Sequence, residues 1–256
     1  MMNNDDFIKK ETALYGYIAE YAQQSKFSAT LNRFFRENSV DGMIVPMNIR
    51  EDDIYFTISG LRDAQLSGVA ISSEYVYDAF NITDSKSDTV ELCQFCDTIV
   101  VKDKKLHGAI AISGAIDFIV KEKKVKNIAL LGSGKLAKAI LFDCSTEVKV
   151  TLFADRVESC MELINIVSAK KSNITFDIER AQSKTDIDFS LFDMAINTTP
   201  EHDGFKMIKP ASIMIDITEK NTLFKSFENS DEIEYFNEEK LVPFLTQSCL
   251  KIWNTK

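Results

Sequence analysis

No apolar run in these 256 residues approaches the ~18 that a membrane-spanning helix requires. The first ten, MMNNDDFIKK, carry an acidic pair and no signal-peptide core. Histidine occurs only twice, and the single CxxC pair, Cys93 and Cys96, has no second pair beside it, so no metal site is expected. Five cysteines, an odd number scattered along the chain, suit reduced thiols rather than a disulfide framework. Positive charge is also short. Thirty Lys and Arg against thirty-nine Asp and Glu leave a net charge of −9, which argues against nucleic-acid or anionic-membrane partners. There is no internal repeat and no low-complexity tract. A cytoplasmic location is therefore expected. The hydrophobic content of 45% is enough for the core of one large domain or two modest ones.

What is present centres on residues 125–139, VKNIALLGSGKLAKA. Residues 128–131 form a short apolar run, as in a strand buried on both faces of a parallel sheet. The run passes into Gly132, Ser133 and Gly134, and a helical pattern begins at Lys135, Leu136 and Ala137. Gly132 permits the tight turn, Gly134 lets backbone approach a pyrophosphate, and Ala137 is the third small position, where helix packs on strand. The helix N-terminus offers N–H groups and partial positive charge to a phosphate. A second β-rich run, 148–153, ends at Asp155 and Arg156. Asp155 lies 23 residues after Gly132, near where such a unit places its ribose-binding acid. Together these predict a dinucleotide-binding βαβ unit.

Along the rest of the chain, residues 7–24 read as a helix, alone or after a strand. Ser28 is placed to cap the next helix, which carries Leu31, Phe34 and Phe35. Strands are expected at 41–47, 69–71 and 99–101, and a helix at 52–66. This alternation implies a mostly parallel sheet in the first half also. The lysine-rich stretch 121–126 marks a compositional boundary between halves, or simply a solvated helix C-terminus. Further on, a helix is expected at 158–168 and strands at 174–178, 192–196 and 213–217, with a last helix at 241–253. Asn197, Thr198, Thr199 and Pro200 follow one strand, while Asp216 and Thr218 stand at the end of another. Polar residues at strand C-terminal ends suit ligand binding in open α/β sheets, although small polar residues before proline also make turns.

The order of these motifs resembles the shikimate dehydrogenase family over almost the whole chain. The resemblance is carried by the GSGKLAKA turn, Asp155-Arg156, Asn197-Thr198-Thr199-Pro200 and the Asp216 strand end. In the first half it is carried by Ser28 with Leu31 and Phe35, Ile44-Val45-Pro46, Gly68-Val69, Asp97-Thr98-Ile99-Val100 and Leu106-His107-Gly108. Gln247 with Trp253 resembles the family's closing helix. The resemblance implies an α/β fold of two domains with a cleft between them. An N-terminal substrate-binding-like domain, 1–104, would be completed by the C-terminal helix, 237–256, and a Rossmann-like nucleotide-binding domain would span 105–236. It implies NADP or NAD as cofactor, a small hydroxy acid as ligand, and a monomer or homodimer. The family reaction is reversible hydride transfer between the nicotinamide and a ring hydroxyl or ketone, with a lysine and an aspartate carrying the proton-transfer chemistry.

The sequence departs from the family at those two positions. The lysine position falls on Val76, and no lysine occurs between Gly68 and Lys86; the aspartate position falls on Ile112. Neither side chain can relay a proton, and the two are expected to face each other across the cleft. Asp117, five residues on, lies too far along its helix to substitute. Tyr75, Tyr77 and Glu74 flank the lysine position as alternative acids or bases. Candidate substrate-pocket residues are Lys26, Ser28, Ser72, Asp97 and Gln247. Ser28 could equally be a helix cap and Ser72 a strand-end hydroxyl, while Asp97 replaces an asparagine and can only accept hydrogen bonds. Candidate cofactor residues are Gly132 to Ala137, Asp155, Arg156, Asn197, Thr198 and Thr199. Asp155 suits a 2′-hydroxyl and NAD, and Arg156 a 2′-phosphate and NADP. The expectation is a shikimate dehydrogenase-like protein with lost or altered activity that retains a nucleotide and small-acid cleft. The alternatives are an active dehydrogenase with non-standard residues, or a sensor or interaction protein.

Overall fold

The computed structural model describes residues 12–181, 185–199, 206–217 and 222–254. They form two compact units. One runs to Ala111 and resumes at Thr246; the other is Ile112–Leu245. Both divisions fall inside continuous helices, α5 (Ala111–Glu122) and α8 (Glu238–Trp253). The stretch 121–126 is therefore not a boundary. It is the solvated end of α5, where Lys121 pairs with Asp117 one turn back and Lys123 with Glu234.

The first unit contains β1 (Ala13–Ala19), α1 (Lys26–Glu37), β2 (Gly42–Asn48), α2 (Ile54–Gly60), β3 (Gly68–Ile71), α3 (Val76–Ile82), β4 (Ser85–Lys86), α4 (Asp88–Cys93), β5 (Thr98–Lys102) and β6 (Lys105–Ala109). Their sheet order is β2-β1-β3-β5-β6-β4. The sheet is mixed rather than mostly parallel. β5 runs antiparallel to β3 and to β6, and Asp103 and Lys104, both at positive φ, close the tight β5–β6 hairpin.

Three local expectations are corrected here. Residues 13–19 are a strand, not a helix. Tyr15, Tyr17 and Ile18 are buried in a strand paired on both sides, and sheet burial outweighs the helical reading; positions 7–11 lie outside the described residues. The helix expected over 52–66 is broken into a 3-10 turn at Glu51–Asp53, α2, and a second 3-10 turn at Leu61–Asp63. The cap of α1 is Ser25, whose Oγ accepts from the Phe27 N–H at 3.2 Å. Ser28 lies inside the first turn, since burying Phe27, Leu31 and Phe35 together starts the helix at Lys26.

The second unit comprises most of α5, then β7 (Asn127–Leu131), α6 (Lys135–Asp143), β8 (Val148–Ala154), α7 (Val157–Ser168), β9 (Ile174–Arg180), β10 (Asp186–Asp188), β11 (Met194–Asn197), β12 (Lys206–Lys209), β13 (Ile213–Asp216), β14 (Glu234–Phe236) and the start of α8. Its six-stranded sheet is wholly parallel, in the order β14-β13-β11-β7-β8-β9. Alternate strand residues feed two cores. Ile128, Leu130, Val150, Leu152 and Ile196 pack with Ile116, Ile140 and Leu163 of α5, α6 and α7. Ala129, Leu131, Phe153, Ala195 and Met214 pack with Phe189, Phe224 and Tyr235. Burial on both faces explains why these strands read as continuous apolar runs.

Candidate functional site

The strand order of the second unit reverses at β7. β8 and β9 lie to one side of it, and β11, β13 and β14 to the other. In open α/β sheets this reversal is where ligands bind, just beyond the strand C-termini. Gly132 leaves β7 at φ +96° and donates its N–H to the Phe153 carbonyl at 2.8 Å. A side chain there would require strained backbone, and a Cβ would lie 2.9 Å from Thr198 Oγ1. Gly134 caps α6 with extended backbone, and a Cβ there would meet nothing within 4 Å. Ala137 is fully buried against the sheet, whereas Lys135 is exposed. The turn is thus held tightly from below and left open above, at the N-terminus of a nine-residue helix. Glycine backbone, helix dipole and open space together fit a pyrophosphate.

Asp155 and Arg156 follow β8, and both are exposed. Arg156 is the N-cap of α7 without a side-chain capping bond. Beneath them Cys160 is fully buried. Burial, then the Asp155 charge, pushes its thiol up, while a hydrogen bond with Ser133 opposes.

Across the switch point, Thr198 donates its N–H (3.1 Å) and its hydroxyl (2.6 Å) to the Leu131 carbonyl, stitching β11 to the glycine turn. Asn197 Oδ1 accepts from the Thr199 N–H and hydroxyl, and Asn197 Nδ2 donates to Asp216 at 2.9 Å. Asp216, at 1% exposure, also accepts from the N–H groups of Leu223 and Phe224 and from the Tyr235 hydroxyl. Burial pushes its carboxyl above the usual carboxylate range, and those donors pull it back. Asn197, Asp216 and Tyr235 thus fix the turn from within. Tyr235 carried no local signal, since β14 reaches Asp216 only through sheet pairing. Pro200 and Thr218 lie outside the described residues.

In the first unit the candidate pocket residues are scattered in environment. Lys26 and Gln247 are exposed, on α1 and α8. Ser28 is buried with its Oγ unpartnered, as is the Thr246 hydroxyl beside Gln247. Ser72 hydrogen-bonds Glu74 through its hydroxyl and donates its N–H to the Ile18 carbonyl. Asp97 Oδ1 accepts the Ala111 N–H at 2.5 Å, a carboxylate at the first residue of α5. Trp253, at the end of α8, stacks on Tyr15 at 4.5 Å and donates Nε1–H to Thr98 Oγ1 at 3.0 Å.

No family model matches the chain. It is 21% identical over 260 residues to the shikimate dehydrogenase (NADP(+)) of Aquifex aeolicus, covering 96% of this chain and 93% of the relative. It is 23% identical over 197 residues to the enzyme of the same name from Methanocaldococcus jannaschii, covering 75% and 70%. The chain is thus similar to shikimate dehydrogenases over most of its length. Its fold is also that of a 5-ketofructose reductase from a Gluconobacter strain, with a TM-score of 0.73 over 96% of this chain and 94% of that one at 13% identity.

Of the positions singled out by resemblance to the shikimate dehydrogenases, Val76 is the first residue of α3 and is half-buried. Ile112, in the first turn of α5, packs on the helical core of the second unit. The titratable neighbours of Val76 are engaged. The Tyr75 hydroxyl donates to the Ile49 carbonyl at 2.6 Å, and burial, then the charges of Glu20 and Glu74, raise its pKa. Glu74 accepts the Glu20 N–H at 3.0 Å and the Ser72 hydroxyl. Asp117 is held by Ser145 and Lys121.

Proposed function

We propose that this chain is an NADP- or NAD-binding member of the shikimate dehydrogenase family whose oxidation of shikimate is lost or greatly reduced. The observation that carries the reading is the open glycine turn at the β7/β11 switch point. The pyrophosphate lies over Gly132–Ala137, and the adenosine ribose lies near Asp155 and Arg156. The cofactor would supply a hydride acceptor; the chain would have to remove the hydroxyl proton. Val76 and Ile112 offer no group for that. Tyr75, with its raised pKa and its bond to Ile49, is a poor base at neutral pH. General acid–base assistance is typically worth about 10²- to 10⁴-fold, and positioning can be worth as much again. The Ser28 hydroxyl and exposed Lys26 support a small carboxylic acid as ligand.

Two measurements separate the parts of this reading. In thermal-shift assays, NADP or NAD at 100 times Kd adds about 2.7 kcal/mol of stability. Absence of any shift with either cofactor refutes the binding. With saturating shikimate, reduced-nicotinamide absorbance should rise several orders of magnitude more slowly than with an active relative. Turnover near one per second, well within the ordinary enzyme range, would refute the loss of activity and direct attention to Tyr75 or Glu74.

A further inference from the structure

Asp155 and Arg156 pull the cofactor choice in opposite directions, one toward a ribose 2′-hydroxyl and the other toward a 2′-phosphate. We propose that Arg180 tips the balance, acting as a specificity-determining residue for an adenine dinucleotide phosphorylated on its 2′-oxygen. The inference rests on the nucleotide-binding reading above and adds to it a residue from a different strand.

Three observations place Arg180 there. In the parallel register of β8 with β9, Arg180 is the partner of Ala154, so it ends its strand beside Asp155. Its Nε–H donates to the main-chain carbonyl of Asp155 at 3.2 Å, which holds the guanidinium along the C-terminal edge of the sheet. Open parallel sheets take up ligands at that edge. Arg180 and Arg156 are both exposed there, and the Arg156 side chain is not spent on capping α7. Strand alternation sends Glu179 to the opposite face of β9. Arg180 is thus tied to the residue expected to meet the ribose, and exposed Arg156 follows that residue directly in the chain. A planar guanidinium fork matches phosphate oxygens in a way an ammonium does not. It gains nothing comparable from a neutral hydroxyl, so the pair favours the 2′-phosphorylated cofactor although Asp155 alone would favour the other.

The test uses adenosine 2′,5′-bisphosphate and adenosine 5′-monophosphate, which differ only by the 2′-phosphate. Titration calorimetry on the full chain compares wild type with Arg180→Ala, Arg180→Lys and Arg156→Ala. Wild type should bind the bisphosphate at least tenfold tighter than the monophosphate. Arg180→Ala should lose ten- to hundredfold for the bisphosphate and stay within threefold for the monophosphate, with Arg180→Lys intermediate. Retention of the full preference by Arg180→Ala, or an equal loss for both nucleotides, overturns the role of Arg180 while nucleotide binding stands. If wild type binds neither nucleotide, the nucleotide-binding reading fails and this inference fails with it.

Discussion

Gly68 of the first unit and Gly134 of the second lack a side chain for opposite reasons. A carbon added at Gly68 would sit 2.2 Å from Trp253 Cδ1 and 2.4 Å from its Nε1. At Gly134 it would meet nothing within 4 Å. The first glycine makes room for the protein's own indole, and the second leaves room for something else. The contrast extends to the polar groups nearby. Ser72, Glu74, Tyr75 and Asp97 bond main chain or one another. In the second unit the exposed Gly134, Lys135, Asp155 and Arg156 line the strand ends, while the buried Asn197–Asp216 network holds the turn from below. One sheet end is closed by its own side chains, and the other is braced but left open.

The strongest break in this comparison should come from Gly68→Ala. The indole must move, disrupting its stacking on Tyr15 and its bond to Thr98. Overpacking of this kind costs about 1–3 kcal/mol, and the lost hydrogen bond about 1 more. Urea unfolding should therefore show a loss of about 2–4 kcal/mol; a loss under about 1 kcal/mol would mean that Trp253 is not tightly seated. Gly134→Val inverts the pattern. Its extended backbone accepts valine, so stability should fall by at most about 1 kcal/mol, from a poorer cap. NADP or NAD affinity should fall at least a hundredfold, about 2.7 kcal/mol. Unchanged affinity would remove the pyrophosphate from this turn.

The second unit was the more legible in sequence because its signals are local. Two glycines between an apolar run and a helical pattern specify strand, turn and helix within fifteen residues. Over residues 7–24 the sequence leaves a helix, alone or after a strand, because Tyr15, Tyr17 and Ile18 become strand residues only through β2 and β3, which arrive later in the chain. Ser25 and Ser28 are both capable caps three residues apart, and only the burial of Phe27 chooses between them. Arg180 gave no signal, since its place beside Asp155 depends on the register of two strands. The Asp216 site was half legible. Its position at a strand end could be read, but its four donors come from residues 7 to 19 positions away.

Asp216→Asn should have the next largest effect. An amide nitrogen cannot accept, and each carboxylate oxygen now takes two donors, so at least one N–H donor would be left facing it. The expected loss is about 2 kcal/mol at pH 7. The pH dependence provides a second readout. Burial raises the folded-state pKa of Asp216 above its unfolded value, so the folded state binds the proton more tightly. Its contribution to stability therefore falls as pH rises from about 4, the ordinary carboxylate value, through the raised folded pKa. The Asn variant should lack that component of the slope. An identical pH profile in urea unfolding would mean that the Asp216 charge is fully compensated by its donors.

The smallest effect sharpens the comparison most, because it asks whether the closed end of the first unit keeps one site in reserve. Ser25→Ala removes the α1 cap and should cost about 1 kcal/mol. Ser28→Ala removes a hydroxyl that is buried without a partner, so stability should be unchanged or rise by about 0.5–1 kcal/mol. A protein that tolerates such a hydroxyl for packing alone loses nothing by the substitution. If instead Ser28 meets a small carboxylic acid, shikimate or quinate should stabilise wild type in a thermal-shift assay and fail to stabilise Ser28→Ala, although the variant alone melts no lower. Equal ligand shifts in the two proteins would exclude Ser28 from the pocket. A Ser28→Ala loss as large as that of Ser25→Ala would show that the hydroxyl has a structural partner after all.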